Sequence, residues 1–70
     1  MEIIFAESIE EIGDKLIVKY SDGTIEKLNA TRLAISFLTM SNDLFYEIYG
    51  FNYVPSQRIR NIAMAQIGRN

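Results

Sequence analysis

No cysteine and no histidine occurs in this 70-residue chain. The first absence removes disulfides, thiol chemistry and every cysteine-based metal site. The second removes the commonest general base and the side chain that titrates nearest neutrality. Zinc, haem and iron–sulfur binding by their usual ligands are excluded together, and no cofactor is expected. A glycine-rich phosphate loop is missing, as is any Gly-x-Ser-x-Gly elbow. The sequence therefore offers nothing for catalysis, and the chain reads as a non-enzyme. Long apolar runs are also missing: Leu33–Leu38 falls far short of the roughly 18 residues a spanning helix needs. The acidic start, with only Ile3–Ala6 apolar, does not make a secretory h-region. A soluble, cytoplasmic protein with no membrane association is expected.

Net charge is −2, which argues against a dedicated polyanion binder. The distribution is uneven. Residues 1–29 hold seven carboxylates against Lys15, Lys19 and Lys27, whereas residues 30–70 hold four arginines against Asp43 and Glu47. All lysines lie in the first part and all arginines in the second. Glu7, Glu10, Glu11 and Asp14 cluster near one turn, but no Asp-x-Asp-x-Asp-Gly loop accompanies them. In a strand, Glu10 and Glu11 point to opposite faces and do not form a site.

What is present is chiefly architectural. Lys15–Tyr20 and Ile25–Leu28 are β-prone segments separated by a loop containing Asp22-Gly23, a dipeptide suited to positive φ. A two- or four-residue loop sets Tyr20 opposite Ile25, Lys19 opposite Glu26 and Val18 opposite Lys27. Leu16, Val18, Tyr20 and Ile25 then share one face. A three-residue loop would set Val18 against Glu26 and scatter that apolar set, so the first register is expected. Ile3–Ala6 reads as an earlier short strand, and Gly13-Asp14 marks a second turn.

Asn29 is a good N-cap ahead of Ala30, Leu33, Ala34, Phe37 and Leu38, an apolar stripe at helical period that ends near Met40. Ser41-Asn42-Asp43 starts a short second helix with Leu44, Phe45 and Ile48 inward, stopping at Gly50. Val54 precedes proline and is extended, and Pro55 fits the first turn of a last helix closed by Gly68. The expected fold is one α+β domain over residues 1–70: a three-stranded antiparallel meander (1–28) packed against two or three C-terminal helices (30–68). The expected core is Leu16, Val18, Tyr20, Ile25, Leu33, Phe37, Leu38, Leu44, Phe45, Ile48, Ile59, Ile62 and Ala63.

Six of the eight aromatic residues fall between Phe37 and Tyr53. A chain this short buries only about 60% of its unfolded surface, so a surplus of rings suggests contact with a second molecule. Tyr46, Tyr49, Phe51 and Tyr53 are the candidate anchors, with Arg58 and Arg60 on the rim. The function this implies is protein binding by a small regulator or inhibitor of a larger protein, which also self-associates. The same composition is common among phage and mobile-element products. A structural subunit of a larger assembly would look alike. The alternative from another class is a DNA-binding regulator reading bases with Gln57, Arg58, Arg60 and Asn61 on the last helix. Against it, Tyr46 and Ser56 sit poorly on a helix-turn-helix pattern, and this half lacks lysines for phosphate.

Overall fold

The computed structural model describes residues 3–68. Three strands, β1 (Ala6–Ile12), β2 (Lys15–Tyr20) and β3 (Ile25–Asn29), are followed by three helices: α1 (Ala30–Thr39), α2 (Asn42–Tyr49) and α3 (Gln57–Ile67). The sheet is antiparallel in the order β1-β2-β3. This is the small α+β meander the patterning predicts. The helices lie over one sheet face in a slab 45 × 25 × 16 Å, and among the described residues nothing forms a second layer on the other face.

The β2–β3 register departs from expectation. Leu16 pairs with Leu28, Val18 with Glu26 and Lys19 with Ile25, the arrangement of the three-residue loop. The cause is local turn chemistry. Gly23 N–H donates to the Tyr20 carbonyl at 3.0 Å and Tyr20 N–H to the Thr24 carbonyl at 2.9 Å. Gly23 takes φ +90°, as in a type I turn followed by a left-handed bulge residue. Asp22 fastens this loop by accepting from the Thr24 backbone at 3.0 Å and its hydroxyl at 2.6 Å. A slip of one residue exchanges the faces of a strand. Leu28 therefore turns inward, while Ile25, expected in the core, stands 56% exposed. Lys19 and Glu26 do not pair; Glu26 instead accepts from the Tyr20 hydroxyl at 2.8 Å.

The first strand also lies further along the chain than Ile3–Ala6. Ile12 pairs with Lys15 across Gly13-Asp14, and Gly13 has φ +61°, as the first position of a two-residue hairpin turn demands. An irregularity in the pairing between Ala6 and Ser8 interrupts the strand's alternation there, and beyond it Glu11 shares the inner face with Leu16 while Ile12 faces out, so no apolar period marks the strand. Ile3–Phe5 runs on beside the β2–β3 loop, where Ser21 N–H donates to the Phe5 carbonyl at 2.8 Å.

All three helices begin where side-chain capping allows. Asn29, Ser41 and Ser56 accept from the backbone of Arg32, Leu44 and Ile59 respectively. Pro55 precedes the Ser56 cap instead of occupying the first turn. Gly50 ends α2 at φ +80°. The contact between α1 and α3 is built on small residues: Ala30 and Ala34 on one helix and Ala63 on the other are fully buried. Ile59 joins them, beneath Leu16, Val18 and Leu33.

α2 is rotated from its expected setting. Phe45 is buried and Tyr49 half-buried, while Leu44 and Ile48 are exposed. Burying the ring pair at i and i+4 removes more apolar area than the aliphatic pair would. Leu38 and Ile62 are likewise partly exposed at 39% and 40%.

Candidate functional site

The aromatic surplus divides into two parts. Phe45, Tyr49 and Phe51 pack together, with ring centroids 4.6 Å apart for Phe45–Tyr49 and 6.2 Å for the edge-on Phe45–Phe51 pair. Phe51 and Tyr53, expected as partner-facing anchors, are core residues. The backbone explains this: the extended connector after Gly50 alternates its side chains, sending Phe51, Tyr53 and Pro55 inward and Asn52 and Val54 outward. Tyr49 is tied down as well, its hydroxyl 3.0 Å from the Ser36 Oγ. Of the four tyrosine and phenylalanine anchors, Tyr46 alone stands free, 54% exposed.

Beside that ring cluster lies an open cleft of about 590 Å³ between α2 and the connector. Phe37, Tyr46, Tyr53 and Val54 supply its apolar lining, and Asp43 and Asn52 lie among them as polar groups. Val54 is 70% exposed. Phe37, expected in the core, is half-buried and reaches this lining, and Val54 was not among the expected anchors. The signal for Val54 was its place before Pro55, which forces an extended backbone.

Arg58, exposed, and Arg60, half-buried, each make an internal contact. The Arg60 guanidinium sits 5.6 Å from the centre of the Phe37 ring and its Nε donates to the Pro55 carbonyl at 3.1 Å. Arg58 donates to the Gly13 carbonyl at 2.7 Å. Gln57 and Asn61 bond to each other along α3 at 2.9 Å. Two of the four residues of the DNA-reading set thus make tertiary contacts and two bond to one another. α3 also packs along α1 instead of α2, so α2 and α3 lack the mutual packing of a helix-turn-helix.

A second polar constellation joins distant parts of the chain. Glu11, on the inner face of β1, accepts from the Tyr53 hydroxyl and from the Ser56 backbone, the latter at 3.0 Å. Burial pushes the Glu11 carboxyl up, but the Tyr53 and Ser56 hydrogen bonds and the Arg58 charge outweigh it and hold it below its ordinary value. Tyr53 moves well above its ordinary value because it is buried and faces that carboxylate. Both groups shift away from neutrality, which favours a charged Glu11 and a protonated Tyr53 at neutral pH. Glu10, one residue away, faces the other side of the sheet opposite Ile17. Among the described residues no group of three or more acidic side chains converges as a metal site, and no helix is long and apolar enough to cross a membrane.

No protein-family model, curated protein or solved structure matches this chain.

Proposed function

We propose that this chain is a non-catalytic protein-binding module, a small stoichiometric regulator or inhibitor that occludes a site on a larger protein. One observation carries the reading: Tyr46 and Val54 stand exposed over a rigid floor of packed rings, at the mouth of an open cleft. A stiff aromatic beside a preformed depression is the arrangement from which contact hot spots are made, because little side-chain freedom is lost on docking. Among the described residues more large apolar side chains are exposed than buried, an excess that favours a covered surface.

The test is a paired capture from the native host with wild-type and Tyr46→Ala/Val54→Ser baits, followed by titration of the purified partner. A specific partner should be retained by the first bait and lost by the second, with equal urea midpoints for both. Equal recovery by both baits overturns the assignment of the cleft. Self-association belongs to the same proposal and rests on Ile3, Ile4 and Phe5, exposed in a row where the chain leading into β1 runs beside the β2–β3 loop. Light-scattering mass that stays monomeric at high concentration refutes it.

A further inference from the structure

The face of the sheet opposite the helices has a composition unlike the rest of the molecule. Its residues follow from the pairing: Ile12, Lys15 and Asn29 form one cross-strand row, Glu10, Ile17 and Lys27 the next, and Ser8, Lys19 and Ile25 the third. The isoleucines thus step diagonally from β1 through β2 to β3 as a continuous apolar stripe. Ile12 and Ile25 are each 56% exposed. Among the nine residues of those rows all three lysines of the chain stand against the single carboxylate of Glu10, although the whole chain is net negative. Their aliphatic stems extend the apolar surface while the ammonium groups border it. A face that merely meets water has no use for an isoleucine in every row.

We infer that this face docks an acidic amphipathic element of a partner protein, one that presents aliphatic side chains between carboxylates. Charge selects the occupant. A second copy laid face to face would set three lysines against three lysines, which repel. Nucleic acid is disfavoured because the face has no ring on which a base could stack and no arginine. A lipid surface would be met without the aromatic side chains that favour the interface. The area is small, on the order of 300 Å² by strand spacing and rise, well under the roughly 800 Å² per partner of a stable complex. The contact is therefore weak, fast and salt-sensitive. It lies on the far side of the sheet from the aromatic cleft and does not depend on it.

The experiment is a nuclear magnetic resonance titration of the full chain with four probes: a helical peptide bearing a leucine stripe flanked by glutamates, the same peptide with lysines for glutamates, oligo-dT, and vesicles of phosphatidylcholine with one quarter phosphatidylserine. The acidic peptide should shift the amides of Ile12, Ile17, Lys19, Ile25 and Lys27, and bind more weakly as salt is raised. Lys15→Glu/Lys19→Glu/Lys27→Glu should lose affinity by about tenfold or more and gain the basic peptide. Lys19→Gln, a milder change, should lose a smaller factor in the same direction. No binding of the acidic peptide, equal binding of the basic one, stronger binding of oligo-dT or vesicles, or shifts confined to the helices would each overturn the inference. Tyr46→Ala should leave this titration unchanged, which separates its failure from that of the cleft.

Discussion

Replacing Glu11 by alanine should remove a large share of this protein's stability without touching its apolar core. The carboxylate accepts from the Tyr53 hydroxyl and the Ser56 N–H, linking β1 to the start of α3 across more than forty residues. Charge-assisted hydrogen bonds contribute about 1.5–3 kcal/mol, and a negative group at a helix N-terminus about 0.3–1 kcal/mol. Truncation also strands the hydroxyl of Tyr53, a residue only 6% exposed, but water reaching through the cleft offsets part of that loss. A net cost of about 2–4 kcal/mol is expected, against a total of about 4–10 kcal/mol for a chain this size. Glu11→Gln keeps an acceptor and should cost about 1 kcal/mol less. Tyr53→Phe should cost about 1–2 kcal/mol, and the double variant should show a coupling of about 1 kcal/mol or more. Urea melts at neutral pH measure all four. The pH dependence supplies an independent check. A carboxyl whose folded value lies below the ordinary 4.5 stabilises above that value, and the contribution is lost as pH falls through the lower folded value. Glu11→Gln should flatten that acid limb. Additive single costs below about 0.5 kcal/mol with an unchanged acid limb would refute the reasoning.

At the alkaline end the sign reverses: Tyr53 is held protonated above its ordinary value of 10, so its contribution persists below pH 10 and fades above it, and Tyr53→Phe should remove that fading in a base titration followed by circular dichroism. Leu16→Ala, at a position with no exposed surface, should cost about 2–5 kcal/mol, whereas Ile48→Ser, on the outside of α2, should change the unfolding free energy from a urea melt by less than about 0.5 kcal/mol. Ala63→Leu should destabilise by about 1–3 kcal/mol by forcing α1 and α3 apart, visible as an early thermal transition. At Gly50 an added Cβ meets nothing within 4 Å, so Gly50→Ala should cost only the backbone strain of its positive φ, about 1–2 kcal/mol in a chemical melt.

Helix starts and stops were legible because one residue decides each: Asn29 and Ser41 by a side-chain cap and Gly50 by its positive φ. The β2–β3 register was not, since Asp22-Gly23 suits loops of either parity. The decision fell to the hydrogen bonds of Asp22 to Thr24, which weigh more than the burial of Ile25. Nor was the aromatic surplus readable as interior. Phe51 and Tyr53 lie in a connector without helical or strand pairing, and their inward direction depends on where Gly50 releases the chain and where Glu11 waits for Tyr53. The exposed cleft was half visible, through Tyr46 but not Val54. The isoleucine stripe was hidden entirely, because it exists only once the pairing of all three strands is known.

The turn at Gly13-Asp14 has a further consequence. Its carbonyls receive Ala30 N–H at 2.9 Å and Arg58 at 2.7 Å, so the heads of two helices are moored to one small bend, with Glu11 mooring the second again from the adjoining strand. Severing the backbone between Met40 and Ser41 would therefore leave two pieces that still recognise each other through that mooring and the buried alanines. Co-expressed as separate chains, the two pieces should co-purify; failure to do so would show that the mooring needs the covalent link between α1 and α2.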